Sequence, residues 1–335
     1  MKILFRTNAG QEGLGHLNRV YSLYIALNEI INFDYRFIVN KEAKKRLLMW
    51  NVNEKYIRSS DNYNSQDVEL ISAYNPDIVV VDTYKSNNQY FNYLKENCSA
   101  VVVMFDDNNS LYSNMTVDVL INGNVYANEL NYEGNINYDQ GLFGPQYLVM
   151  NPDFWSIDKM QSQEAEGILV TCGGADPKNL MIDLINKLDN IDVTKKIVVG
   201  PYFTAKQVDK IKIKIANKNK FKLVMQPVGL KKYIEKSNVI LTAAGSTVYE
   251  TLTLNKRPIT YIMEDDQVKI ANSFAEKGVI NLGWQENIEK NNISKAIKKS
   301  NNKTYKNQLR KLYNSFDGGG AHRVAKKILE FRGDL

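Results

Sequence analysis

The stretch Gly13-Leu14-Gly15-His16-Leu17-Asn18-Arg19 lies between the apolar run Lys2-Ile3-Leu4-Phe5-Arg6 and a segment, Val20 to Leu27, with apolar residues at helical spacing. That order reads as strand, glycine loop and helix. Glycines at such a turn let the backbone approach a ligand closely, and the helix start presents unpaired N–H groups that favour an anion such as a diphosphate. Taken alone, they serve equally well as turn residues. His16, one of two histidines in the chain, stands at the mouth of the loop. Its side chain titrates near neutral pH, which suits a general base.

The pattern continues outward. Strands are expected at Tyr35–Val39, Ile78–Val81, Val101–Phe105 and Val117–Ile121, then at Ile168–Thr171, Lys196–Val199, Phe221–Val224, Val239–Thr242 and Ile259–Ile262. Short continuous apolar runs alternating with helices predict an α/β protein with doubly wound parallel sheets buried on both faces. The pattern restarts near Ile168, after Gly144-Pro145-Gln146-Tyr147 and a polar stretch from Ser156 to Gly167 that reads as a connection. Two Rossmann-like domains are therefore expected, 1–150 joined by the last helix 321–335, and 151–320. A single large sheet satisfies the periodicity as well. In either case ligands bind at the carboxyl ends of the strands.

Composition narrows the function. The chain has 335 residues and a net charge of +6, and its lysines are scattered or sit in pairs such as Lys231-Lys232 and Lys298-Lys299. Without a basic tract interleaved with aromatics, nucleic-acid binding is not indicated, although a weakly basic surface steers anionic small molecules. Two distant cysteines, Cys98 and Cys172, form neither a zinc pattern nor a disulfide framework, which fits a reducing cytoplasm. No apolar run approaches a membrane span, and the chain opens on a core strand rather than a cleavable signal. The expectation is a soluble cytoplasmic protein without stable membrane insertion, and a monomer satisfies it.

Three further loops carry candidate chemistry. Ile168-Leu169-Val170-Thr171-Cys172-Gly173-Gly174-Ala175-Asp176-Pro177 runs from a strand into a double glycine that leaves room for a bound group, with Asp176 suited to cap a helix and Pro177 to its first position. Cys172 reads as a small buried residue rather than a nucleophile. In Leu241 to Glu250, Gly245, Ser246 and Thr247 again join strand to helix. Thr247 and Glu250 have capping-box spacing; alternatively the Ser246 and Thr247 hydroxyls hold a diphosphate while Glu250 accepts from ribose hydroxyls. Val81-Asp82-Thr83-Tyr84 and Phe105-Asp106-Asp107 place polar residues directly after strands, where they either face a ligand or begin a turn. Adjacent carboxylates such as Asp106 and Asp107 point apart, which disfavours a two-carboxylate glycosidase. Near the end, Asp317-Gly318-Gly319-Gly320-Ala321-His322-Arg323 predicts a tight loop close to another backbone or a ligand, with His322 in a local structural contact. No Walker lysine or metal-ligand cluster accompanies these loops, so neither metal nor cofactor is expected.

Taken in order, these segments resemble the UDP-2,4-diacetamido-2,4,6-trideoxy-β-L-altropyranose hydrolase family of pseudaminic acid biosynthesis, including its spore-coat polysaccharide biosynthesis relatives. The resemblance runs from Leu4-Phe5-Arg6 and Gly13–Arg19 through Val81–Tyr84, Phe105–Asp107, Asp118–Asn122 and Gly144–Tyr147 to Gly173–Asp176, Gly245–Glu250, Gln267 and Asp317–Arg323. It implies a glycosyltransferase GT-B fold, two domains facing a cleft with UDP held by the second. It also implies metal-independent, inverting hydrolysis to free sugar and UDP, with His16 as general base and Tyr84 beside the sugar. Glu250 matches a ribose-binding glutamate. Arg6, Gly13, Gly15, Arg19 and Asp107 are the further substrate-binding candidates of the first half; Gly173, Gly174, Gly245, Ser246, Thr247, Asp266 and Gln267 are those of the second. Two positions depart from the family pattern, and both are expected to face the sugar. Asp82-Thr83-Tyr84-Lys85 stands where Asp-His-Tyr-Gly is common, and Asp266-Gln267 where Asn-Gln is usual. An ionised Asp266 offers only acceptors, which allows a different amido-sugar. The alternative readings are a GT-B glycosyltransferase in which His16 deprotonates a sugar or lipid hydroxyl, and a silent nucleotide-sugar binding protein.

Overall fold

The structure, a computed structural model, describes residues 1–10, 14–156 and 165–335. It divides into two compact units, Met1–Pro152 with Gly319–Leu335, and Asp153–Gly318.

In the first unit the order is β1 Lys2–Thr7, α1 Gly15–Ile30, β2 Asp34–Val39, α2 Lys41–Met49, β3 Ile57–Ser59, α3 Ser65–Tyr74, β4 Ile78–Asp82, α4 Asn88–Asn97, β5 Val101–Phe105, β6 Met115–Asn122 and β7 Ile136–Phe143. The strands pair in parallel in the order β3-β2-β1-β4-β5-β6-β7. Asparagine side chains start three of these helices: Asn40 accepts from the amide of Ala43, Asn64 from Asp67 and Asn87 from Tyr90. The helices cover a core centred on Leu4, Val79, Val81, Val102 and Leu120.

The second unit runs β8 Ile168–Thr171, α5 Leu180–Leu188, β9 Lys195–Val199, α6 Ala205–Ile215, β10 Phe221–Met225, α7 Lys231–Glu235, β11 Val239–Ala243, α8 Ser246–Thr253, β12 Arg257–Ile262, α9 Val268–Glu276, β13 Ile280–Trp284, α10 Lys290–Ser300, α11 Lys303–Gln308 and α12 Arg310–Asn314. Its order is β10-β9-β8-β11-β12-β13, again parallel throughout. The last helix, α13 Gly320–Arg332, returns to the first unit, where His322 Nε2 lies 2.7 Å from Glu29 Oε2 on α1 and Arg323 Nε donates to the Gln146 carbonyl at 2.6 Å.

In both sheets the strand order thus reverses at the centre, between β1 and β4 and between β8 and β11. In such sheets the loops at the carboxyl ends of these two strands diverge and leave a binding crevice. Among the described residues no helix is long and apolar enough to cross a membrane.

Three strands lie outside the sequence expectation, β3, β7 and β13, and each is an edge strand. Their sequences alternate or lack long buried runs, as the half-exposed pattern of β7 illustrates, so they give no continuous apolar signal. Two helix starts also differ. Helix α5 begins at Leu180, three residues beyond Pro177; Asp176 still serves its first turn, accepting from the amides of Leu180 and Met181 at 2.8 and 2.9 Å. The capping box expected of Thr247 and Glu250 is absent, because α8 is capped at Gly245 without a side-chain bond.

The terminal glycines meet backbone. Gly318 has φ +81°, and a Cβ there would run into the Phe154 carbonyl oxygen. Gly318→Ala is expected to lower stability by at least the ~1–2 kcal/mol of the left-handed conformation, with the clash in addition. A melting temperature equal to that of the parent protein would contradict this account.

Candidate functional site

The first unit brings its polar residues together at the switch between β1 and β4. Thr7, the last residue of β1, pairs in register with Asp82, the last of β4. Helix α1 opens just beyond β1, so His16 in its first turn stands over the end of β4. Its Nδ1 lies 2.7 Å from Asp82 Oδ1. Arg19, three residues along and on the same helix face, grips the same carboxylate through Nε and Nη2, both at 2.8 Å. Its outer edge meets Asp107, beyond β5, with Nη1 2.8 Å from Oδ1 and Nη2 3.1 Å from Oδ2. Asp107 also accepts from Tyr84 Oη at 2.7 Å and from Asn124 Nδ2 at 2.8 Å. The Tyr84 ring stands edge-on to the imidazole, centroids 4.5 Å apart at 90°.

Electrostatics fix the protonation states. Burial disfavours the Asp82 carboxylate, but Arg19 and His16 outweigh it and hold Asp82 below its ordinary range. Asp107 is likewise held low by Arg19 against the effect of burial. For His16, burial opposes the charged form and the Asp82 carboxylate overcomes it, so the imidazole titrates above its ordinary value. With an ionised carboxylate at Nδ1, that nitrogen carries the hydrogen, and neutral His16 keeps its lone pair on Nε2. Burial and the Asp107 charge push the Tyr84 phenol up, so it remains a donor.

This geometry corrects two expectations, those for Arg6 and Thr83. Arg6 is fully buried: Nε lies 2.8 Å from Asp67 Oδ2, Nη2 donates to the Asn62 carbonyl, and the guanidinium lies over the Tyr63 ring, so it is a structural ion pair inside the unit. Arg19 and Asp107 are engaged with each other and with Asp82, Tyr84 and Asn124. Thr83 is buried, donating to Asn8 Oδ1 at 2.6 Å and accepting from the Lys85 amide, so it does not present its hydroxyl to a sugar. Gly13 lies outside the described residues, and Gly15 is exposed at the start of α1. Asp106 turns away from Asp107 to accept from Tyr132 and the Asn109 amide, both at 2.8 Å.

The sequence leaves Asp82 between facing a ligand and beginning a turn and assigns it no role; its partnership with His16 comes from the structure. Asn124 had no visible signal.

In the second unit Gly173 and Gly174 follow β8 and Gly245 to Glu250 follow β11, the two strands of the corresponding switch, whereas Asp266 and Gln267 follow β12. Among the described residues, Gly173, at φ +85°, and Gly245 both have open space where a Cβ would stand, and such an atom at Gly174 would meet only the Tyr202 ring. Helix α8 offers its first turn without a side-chain cap, with Ser246 exposed and Thr247 buried there. One turn on, Glu250 Oε2 is buried and has no hydrogen-bond partner among the described residues. Burial, followed by the Asp153 charge, pushes its carboxyl up to about 7. Gln267 accepts from the Met263 amide at 2.9 Å, whereas Asp266 is exposed. Cys172 is buried against Tyr261 Oη, and burial raises its thiol far above the ordinary range, which rules out a ready thiolate.

These two parallel units are those of the glycosyltransferase GT-B fold. The chain is similar over its whole length to Arabidopsis thaliana UGT89C1 complexed with UDP (TM-score 0.71, 10% identity, all of that chain covered) and to the S. aureus MnaA–UDP co-structure (0.66, 15%, 97%). Acinetobacter baumannii MurG matches 98% of this chain with all of its own (0.69, 13%). No family model matches.

Among curated proteins, distant similarity links the chain to three. It is 26% identical over 268 residues to uncharacterized protein MJ1062 of Methanocaldococcus jannaschii, 76% of this chain and 54% of that protein. It is 22% identical over 293 residues to the spore coat polysaccharide biosynthesis protein SpsG of Bacillus subtilis, 84% of each. It is 23% identical over 282 residues to the UDP-2,4-diacetamido-2,4,6-trideoxy-beta-L-altropyranose hydrolase of Campylobacter jejuni, 83% of this chain and 97% of that one. The chain spans about half the length of the M. jannaschii relative.

Proposed function

We propose that the protein hydrolyses a UDP-diacetamido-trideoxy sugar to the free sugar and UDP, as a cytoplasmic step of nonulosonic acid formation for a surface glycan. The observation that carries this reading is His16, whose Nδ1 is bound to a buried carboxylate while Nε2 has no hydrogen-bond partner among the described residues. Such an imidazole can take a proton from water at Nε2. The water oxygen then bonds to the anomeric carbon from the face opposite UDP, the bond from that carbon to the diphosphate oxygen breaks, and its electron pair leaves with UDP. Inversion follows. The proton stays on His16, where Asp82 balances the new charge.

The uncapped first turn of α8 and the Ser246 hydroxyl suit the diphosphate, where N–H groups and the helix dipole favour the leaving negative charge. Gly173, Gly174 and Gly245 leave room for the nucleotide, Glu250 accepts from ribose hydroxyls, and Tyr84 stands on the sugar side. Glu250→Ala is then expected to weaken UDP affinity by ~2–10-fold, the equivalent of the ~0.5–1.5 kcal/mol of a hydrogen bond to a carboxyl that is partly neutral near pH 7. Unchanged affinity in calorimetry would remove Glu250 from the nucleotide site.

The reading is tested by incubating the protein with UDP-2,4-diacetamido-2,4,6-trideoxy-β-L-altropyranose and no acceptor, following UDP and sugar by NMR. Catalytic release of both supports hydrolysis. Binding without release would instead assign a transferase awaiting its acceptor.

A further inference from the structure

Arg19 joins two carboxylates, and of these only Asp82 is hydrogen-bonded to the imidazole. With Asp82 and Asp107 ionised around one guanidinium, the cluster holds one negative charge in excess, which a proton on His16 cancels. Remove Asp107, and Arg19 would neutralise Asp82 alone. Arg19 Nη2 lies 3.5 Å from His16 Nδ1, close enough for its charge to oppose an imidazolium.

We propose that Asp107 is a positioning residue that engages Arg19 from the far side and thereby reserves the Asp82 charge for His16. The bidentate contact also holds the guanidinium against Asp82, so that Asp82 goes on accepting from the Nδ1–H and leaves Nε2 as the base. Among the described residues, the charged and titratable groups facing the imidazole are Asp82 from β4, Arg19 from α1, Tyr84 after β4 and Asp107 after β5. Tyr84 and Asn124 complete the acceptor side of Asp107 and fix its carboxylate. This inference deepens the hydrolase reading and rests on it for its consequence in turnover, but its primary readout needs no substrate.

The chain has only two histidines, so imidazole NMR titration of the whole protein resolves His16, with His322 as an internal control. In Asp107→Asn the His16 pKa is expected to fall by about one unit, a roughly tenfold loss of proton affinity. In Arg19→Gln/Asp107→Asn, which removes both charges, it is expected to return to within about 0.3 of the parent value. A merely structural role for Asp107 would not produce that restoration. An unmoved His16 in Asp107→Asn, or a double variant displaced as far as the single one, would overturn the proposal. Should the single variant not fold, the double variant decides: a value near the parent supports charge cancellation, and a shift of about one unit overturns it. The acid limb of kcat/KM is expected to move with the titration. Absence of hydrolysis by the parent protein would overturn the hydrolase reading and leave the titration result standing.

Discussion

His16→Ala is expected to keep UDP affinity within a small factor of the parent and to lower turnover by ~10²–10⁴-fold, the usual contribution of a positioned general base. The expectation rests on the separation of tasks. His16 belongs to the α1 start in the first unit, whereas the nucleotide candidates lie on the second. The sign of the pH dependence follows from the same geometry. Only neutral imidazole accepts a proton, so kcat/KM rises as pH rises through the His16 pKa. Because Asp82 raises that pKa, the acid limb lies above the ordinary imidazole value of ~6.5. Asp82→Asn removes the opposing carboxylate, lets burial act unbalanced, and moves the limb to lower pH. Retained turnover in His16→Ala would refute the base.

The second large effect is on stability. Asp67→Ala should cost ~3–5 kcal/mol, the magnitude seen when one partner of a buried ion pair is removed. Both side chains of the Arg6–Asp67 pair are wholly buried, and Tyr90 Oη donates to the same carboxylate oxygen at 2.9 Å. Without Asp67 the guanidinium keeps only backbone acceptors, those of Asn62, Ile38 and Thr7. Trp50, stacked on Tyr21 at 4.6 Å, belongs to the first unit, so urea unfolding can be followed there in a protein whose Trp155 and Trp284 are replaced by Phe. A loss below about 1 kcal/mol would mean that the pair is not an obligate partnership.

These two residues illustrate what a single sequence discloses. Both sheets were legible because their central strands are buried on both faces: Ile78–Asp82 and Val239–Ala243 are buried along their full length. Edge strands such as Ile136–Phe143 lack that constraint and carry no comparable signal. The loops were legible because glycine and polar residues follow apolar runs, and this placed His16, Tyr84, Gly173 and Gly245 at the ends of central strands. Which charge meets which was not legible. Arg6 finds Asp67, 61 residues away, and Arg19 finds Asp82 and Asp107, 63 and 88 residues away. No local period encodes those partners, so an arginine consumed by the fold and one available to a phosphate look alike. Thr83 shows the same limit at short range, since alternation along the end of β4 turns it inward to Asn8 while its neighbours Asp82 and Tyr84 join the cluster around His16 and Asp107.

In the proposed reaction water, activated at His16, attacks carbon and not phosphorus. Turnover of UDP-2,4-diacetamido-2,4,6-trideoxy-β-L-altropyranose in ¹⁸O-enriched water, with the released UDP read by the isotope shift in its ³¹P spectrum, tests this most directly. The account predicts UDP free of label, because its oxygen departs with it from the anomeric carbon. Label on the β-phosphate would place the attack at phosphorus and contradict it.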